Sequence, residues 1–234
     1  MLADTATAIP KARTGLVESI RLIHGTRAGA VKARTAARNT FINTVRTSPD
    51  AVREVLLPLA WARRLRIAVG YRPEGDGPLA TVKRCLRRLA VRITDLTREI
   101  TAADADLDRL TRQLAPSMRS RLGFGPETTA QLLITAGDNP DRIGSEAALA
   151  GLCGVSPVQA SSGKSRYYRL NRGGDRQANR ALHMVILCRL RHHPPTRAYL
   201  AGRSIDGHAT PHPRRVLKRY LAREVYQLLG DLKT

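Results

Sequence analysis

The apolar positions of this chain recur at helical spacing, and the clearest run lies between Leu79 and Leu114. Leu79, Val82, Leu86, Leu89, Ile93, Leu96, Ile100, Ala103, Leu107, Leu110 and Leu114 alternate steps of three and four. Such an a/d seam predicts a left-handed coiled coil. At about 1.5 Å per residue the helix is roughly 50 Å long. One amphipathic helix cannot bury its stripe alone. Its partner is either an earlier helix folded back on it or the same helix of a second subunit, and both hold in a dimer. Pro116 ends the run.

That earlier helix is predicted over 13–45, where Leu16, Ile20 and Ile23 share a face and no proline intervenes. Met1 to Lys11 read as a disordered lead-in, with Pro10 as the stop. Thr47-Ser48-Pro49-Asp50 is a break, with Ser48 as expected N-cap and Pro49 at the first helical position. A shorter helix follows over 50–69, then a Gly/Pro loop over 70–78. Downstream, Ser145 is placed to cap a helix ending near Cys153, and Asp175 one over 176–191. A short helix is expected over 196–203 and a last amphipathic helix over 214–229. The last has an apolar face of Val216, Leu217, Tyr220, Leu221, Val225, Leu228 and Leu229.

The expected fold class is therefore mainly all-α. A long coiled-coil helical hairpin precedes a compact helical domain with a helix-hairpin-helix-like element and a basic, serine-containing loop. The division is 1–12 lead-in, 13–116 helical dimerisation region and 117–234 second domain.

Composition sharpens this. Apolar residues make up 42% of the 234 but aromatics only 4%, which suits helix-on-helix packing better than a β-sandwich. The net charge of +21 asks for a polyanion, and nucleic acid is the commonest. Arginine far outnumbers lysine, favouring bidentate phosphate contacts. Cys85, Cys153 and Cys188 are isolated, so neither a disulfide framework nor a zinc site is indicated, and a reducing cytoplasm fits. No apolar run is long enough for a bilayer. His24, His183, His192, His193, His208 and His212 show no ligand spacing. Asp104, Asp106 and Asp108 read as a solvated helix face.

Candidate chemistry concentrates in GLCGVSPVQASSGKSRYYRLNRGGDRQANRAL, from Gly151 to Leu182. Ser161, Ser162 and Gly163 form a turn followed by Lys164, Arg166, Arg169, Arg172, Arg176 and Arg180. From Gly151 to Arg203 there are ten Lys or Arg and one acid, Asp175, whereas a solvated face mixes both signs. Guanidinium groups hold phosphate oxygens, and a serine hydroxyl among them can attack a phosphodiester once activated. Gly163, Gly173 and Gly174 let backbone approach a phosphate. Gly123 and Gly125 begin a hairpin like that of helix-hairpin-helix modules, whose backbone N–H groups grip phosphate; the plainer reading is a helix-loop-helix corner. Ser161 and Ser162 are also ordinary turn residues by type. Lys218, Arg219 and Arg223 either extend the phosphate-binding surface or form the solvated face of the last helix.

The same stretch resembles the C-terminal domain of the DEDD insertion-sequence transposases, relatives of the Piv DNA invertases. The matching elements are Gly151-Leu152, Pro157, Ser162-Gly163, the basic run Lys164 to Arg172, and Gly173-Gly174-Asp175-Arg176 opening a helix. The glycine hairpin, the terminal VLKRYLAREVYQLL helix and the long-helix region from about Ile9 also match. The resemblance implies a recombinase in which this serine domain works with an acidic, magnesium-binding RuvC-like domain, in some members guided by a structured bridge RNA. Ser162 is the implied nucleophile, forming a 5′-phosphoserine link to DNA, with Ser161 the fallback. The chain begins about where the RuvC-like domain would end. No cofactor is therefore expected here, and Mg²⁺ is expected in that other domain. The expected partners are DNA, a guide RNA and further copies of the chain, in the bacterial cytoplasm at the nucleoid and away from membranes. The alternative is a shortened, non-catalytic nucleic-acid-binding product that dimerises with or inhibits a longer transposase.

Overall fold

A computed structural model describes residues 10–139, 142–159, 168–169, 171, 173–205 and 211–231. The fold is all-α apart from two short strands. Its helices are α1 Leu16–Arg46, α2 Asp50–Leu56, α3 Trp61–Gly70, α4 Pro78–Leu114, α5 Pro116–Arg119, α6 Pro126–Ala136, α7 Glu146–Leu152, α8 Arg176–His192, α9 Pro194–Ile205 and α10 Pro211–Gly230. The strands β1 Val158–Gln159 and β2 Tyr168–Arg169 pair antiparallel, Val158 opposite Arg169. The chain divides into two compact units, Gly25–Asp104 and Met1–His24 with Ala105–Thr234.

In the Gly25–Asp104 unit, α1 folds back on α4. Ala37, Phe41 and Val45 of α1 share a buried cluster with Leu86, Ala90 and Ile93 of α4. Farther along, Arg27 and Asp104 form an ion pair at 2.5 Å, so the two helices run antiparallel. The seam expected from sequence supplies the buried positions Leu86 and Ile93, while Leu79 remains exposed. Val52, Leu56 and Ala68 of α2 and α3 close the cluster. Trp61 packs edge-to-face on Phe41, centroids 5.6 Å apart, with the Arg38 guanidinium 4.6 Å from its ring.

Two local expectations are corrected in this unit. The helix expected over 50–69 is two helices, because Pro58 lacks an N–H to continue the first. Arg64 ties the corner by donating to the Leu57 and Leu59 carbonyls at 2.5 and 2.7 Å. Ser48 does not cap α2. Its hydroxyl donates back to the Thr44 carbonyl at 2.5 Å, satisfying a free C-terminal carbonyl of α1, and Pro49 takes the N-cap position.

The other unit is built around α8, which packs on α6, α9 and α10. Its core joins Leu132 and Leu133 of α6, Leu149 of α7, Leu182, Val185 and Ile186 of α8, and Leu221 and Val225 of α10. Ile20, Leu107 and Leu110 belong to the same core. The segment leading into α1 is strapped to the end of α6. The amides of Thr14, Gly15 and Arg13 donate to the Asp138 carboxylate at 2.9, 3.1 and 3.2 Å. Asn139 accepts from the Ala12 amide and donates to the Pro10 carbonyl, both at 2.7 Å. Burial alone would push the Asp138 carboxyl up, but the donated amides outweigh it and hold it at about 2. No helix among the described residues is long and apolar enough to cross a membrane.

Candidate nucleic-acid interface

The expected caps organise this surface. Ser145 accepts from the Ala148 amide at 3.1 Å and starts α7. Asp175 accepts from the Gln177 and Ala178 amides at 2.8 and 3.1 Å and starts α8. Its second oxygen accepts from the Thr135 hydroxyl at 2.7 Å. The one acid in the cationic stretch thus caps α8, and it forms no ion pair with Arg169, Arg176 or Arg180 among the described residues.

Gly173 and Gly174 carry the chain from β2 into α8. Gly174 sits at φ +87°, and a Cβ there would stand 2.7 Å from the Leu152 carbonyl oxygen and 2.8 Å from the Gly154 nitrogen. Gly154, at φ +64°, would put a Cβ 2.7 Å from the Gly173 carbonyl oxygen. Backbone therefore crosses backbone where α7 ends and α8 begins, and the Asp175 amide donates to the Leu152 carbonyl at 2.6 Å. Of the two glycines expected at a phosphate, Gly174 is packed against the end of α7, while a Cβ on Gly173 would meet only the Asn171 side chain at 3.2 Å.

Gly123 has a similar duty. Its φ is +95°, and a Cβ would lie 2.9 Å from Val185 Cγ1 of α8. Arg119 donates to the Phe124 carbonyl at 2.5 Å and Arg189 to the Leu122 carbonyl at 2.9 Å, pinning the hairpin from both sides. Arg189 also forms a two-pronged pair with Glu224, both bonds 2.7 Å. Gly125 is different: it is the N-cap of α6, and nothing lies within 4 Å of a Cβ there.

Arg169, Arg176 and Arg180 are exposed and have no partner among the described residues. Ser161, Ser162, Gly163, Lys164, Arg166 and Arg172 lie outside the described residues. β1 and β2 flank residues 160–167 in the chain.

Between β2, α8 and α10 lies a cleft of about 310 Å³. Arg169, Asn179, Arg215, Lys218 and Arg219 line it, with apolar walls at Val155, Pro157 and Val216 and no carboxylate among the described residues. Asn179 is locked at its base. Its amide nitrogen donates to the Cys153 and Gly154 carbonyls at 3.0 and 3.2 Å, leaving its oxygen to accept from Lys218 Nζ at 2.7 Å. Burial, reinforced by Arg215, lowers the Lys218 ammonium pKa. One helical turn beyond Asn179, the His183 imidazole pKa is lowered by burial and by Lys218 and Arg214, and its Nδ1 is buried without a partner among the described residues. Glu146 is turned to other cations: Arg223 donates to it at 2.7 Å, and Arg219 lies 2.7 Å away without hydrogen-bond geometry. The sequence offered Lys218, Arg219 and Arg223 as alike. Only Lys218 has a neutral partner.

The acids on α4 do not fit a magnesium site. Asp104 is paired with Arg27 at 2.5 Å, Asp106 with Arg109 at 3.2 Å, and Asp108 with Arg112 and Arg119 at 2.9 and 2.5 Å. No group of three or more metal-binding side chains gathers among the described residues.

A family-model match falls on this half of the chain. Residues 115–201 match the model of the transposase IS116/IS110/IS902 family. Over 114 residues the chain is 32% identical to the insertion element IS110 uncharacterized 43.6 kDa protein of Streptomyces coelicolor. That match covers 47% of this chain and 28% of the Streptomyces protein, so the chain spans under a third of that relative's length. The capped, glycine-crossed helices α7 and α8 thus lie in a region similar to the transposase IS116/IS110/IS902 family, while the cleft cations of α10 lie beyond residue 201.

Proposed function

We propose that residues 115–231 act in DNA transposition, as a nucleic-acid-binding transposase domain that contributes a serine nucleophile. The family match over 115–201 carries this reading, because it spans the serine-containing stretch and the cations around it. Ser162 is the proposed nucleophile and Ser161 its fallback. The hydroxyl oxygen bonds to the phosphorus of a DNA phosphodiester as the bond to the 3′ oxygen breaks. The products are a 5′-phosphoserine link and a free 3′-hydroxyl, which takes up the proton. Arg169, Arg176 and Arg180, together with Lys164, Arg166 and Arg172, supply positive charge to the non-bridging oxygens. Gly125, open and at the N-terminus of α6, is the hairpin residue best placed for phosphate.

The carboxylates that would hold magnesium are assigned to a RuvC-like domain beyond the described residues, since the acids of α4 are taken by arginines. DNA is the primary partner, a structured guide RNA a second. Association of chains through the long helices is part of the same reading, with Leu22 and Val91 exposed for it. The site of action is the bacterial cytoplasm, at the nucleoid.

The test is covalent trapping. The chain is mixed with a subunit supplying an acidic RuvC-like domain and with labelled element-end DNA, and denatured products are resolved. A protein–DNA adduct that disappears in Ser162→Ala and persists in Ser161→Ala is the expected result. Salt-sensitive binding without any adduct would favour the non-catalytic binding module.

A further inference from the structure

The cleft between β2, α8 and α10 holds a charge that no described residue neutralises. Lys218 is half-buried, and its one hydrogen-bond partner among the described residues is the neutral amide of Asn179. Withdrawing an ammonium from water without a counter-charge is costly. The fold spends further interactions to keep this arrangement. Asn179 is oriented by two backbone carbonyls so that only its oxygen faces the lysine. Glu146, the nearby acid, is engaged by Arg219 and Arg223. Arg215 and Arg169 line the same cleft, both exposed and both without a partner among the described residues. A structural lysine would be expected to meet a carboxylate. A lysine anchored on a neutral acceptor, with two N–H groups left over and arginines at the rim, is set to receive an anion.

We propose that this cleft seats one backbone phosphate of a bound nucleic-acid strand, with Lys218 at its base and Arg215 and Arg169 at its rim. At about 310 Å³ it is at the small end of ligand pockets, roughly 300–1,000 Å³, which suits one nucleotide unit with the strand running across its mouth. Val216 and Pro157 provide apolar contact for the sugar. The inference rests on the nucleic-acid reading above and adds to it a phosphate seat on α10, separate from the serine stretch.

The experiment measures duplex DNA affinity of the full chain across a salt series, for wild type, Lys218→Met, Arg215→Gln and the control Arg109→Gln, whose guanidinium pairs with Asp106. Each cleft variant is expected to bind about tenfold more weakly near 0.1 M salt and to lower the salt slope by about one, while the control matches wild type. Replacing chloride with inorganic phosphate at equal ionic strength should weaken wild-type binding more than Lys218→Met binding. Should Lys218→Met fail to fold, the exposed Arg215→Gln carries the comparison. Unchanged slopes in the cleft variants, with DNA binding intact, would overturn the seat alone. So would thermal stabilisation of wild type by free phosphate, lost in Lys218→Met, if DNA slopes stayed unchanged. Absence of salt-sensitive DNA binding by wild type would instead overturn the nucleic-acid reading.

Discussion

Gly174 stands so close to Gly154 that a Cβ on the first would lie 2.8 Å from the backbone nitrogen of the second. Both residues have positive φ, a region where side chains cost about 1–2 kcal/mol per residue. The contact fixes where α7 ends against the start of α8, and with it the floor of the cationic cleft.

Gly174→Ala should therefore lose at least about 2 kcal/mol, from backbone strain together with an unavoidable clash against the Leu152 carbonyl. Gly123→Ala should also destabilise, through Val185. Gly125→Ala has negative φ and open space, so it should lose the least, about 0.5 kcal/mol for an alanine at the N-cap. Urea unfolding of the three variants checks the order. A Gly174→Ala protein as stable as wild type would remove the packing explanation.

Asp175→Ala should cost about 1–2 kcal/mol for the lost cap of α8, with more from the Thr135 hydroxyl left without its partner. Asp175→Asn keeps an acceptor for the Gln177 and Ala178 amides and should retain most of that stability. Thermal melts of the pair separate capping from charge.

These caps were legible because they are local. An acid or serine one residue before an apolar-periodic run is visible in the string, and Asp175 and Ser145 act as expected. The seam of α4 was legible for the same reason. Pro58 is equally visible, but the apolar spacing over 50–69 is continuous across it and hides the break between α2 and α3. What sequence could not show are polar pairs made by folding. Lys218 and Asn179 are 39 positions apart, and Thr14 and Asp138 are 124 apart. Nothing local marks Lys218 off from Arg219 and Arg223; only the fold gives two of the three a carboxylate. The glycines of the Gly-Gly-Asp-Arg turn were found, but their contact with Gly154 needed the packing of α7 on α8. Ser161 and Ser162 lie outside the described residues, so the nucleophile rests on resemblance.

Asp138 predicts an acid-dependent loss of stability. Its folded pKa, about 2, lies below the ordinary 3.8. A depressed carboxylate stabilises the fold above the unfolded value, and that contribution fades as pH falls from about 4 toward 2. The stability gap between wild type and Asp138→Asn, followed by urea unfolding from pH 6 to 2.5, should shrink below about pH 4. A constant gap would mean that the carboxylate's charge contributes nothing to the strap.

Cys153 is buried, and burial followed by the Asp175 charge pushes its thiol up to about 12. Thiolate is the reactive form, so it should resist alkylation at pH 8 in the folded protein. Cys85 is exposed and should react first. Peptide mapping after short iodoacetamide exposure, with and without urea, distinguishes the two. Prompt labelling of Cys153 without urea would show that the α7–α8 junction opens in the native state.

The most direct measurement is photo-crosslinking of the purified chain to bromodeoxyuridine-substituted duplex DNA, with the attached peptides identified by mass. Adducts should fall within 151–203 and on α10, the cationic stretch and the helix that carries Lys218. Adducts confined to residues 25–104, or none under conditions where polyanions bind, would contradict the placement of the nucleic-acid surface on the transposase-like half of the chain.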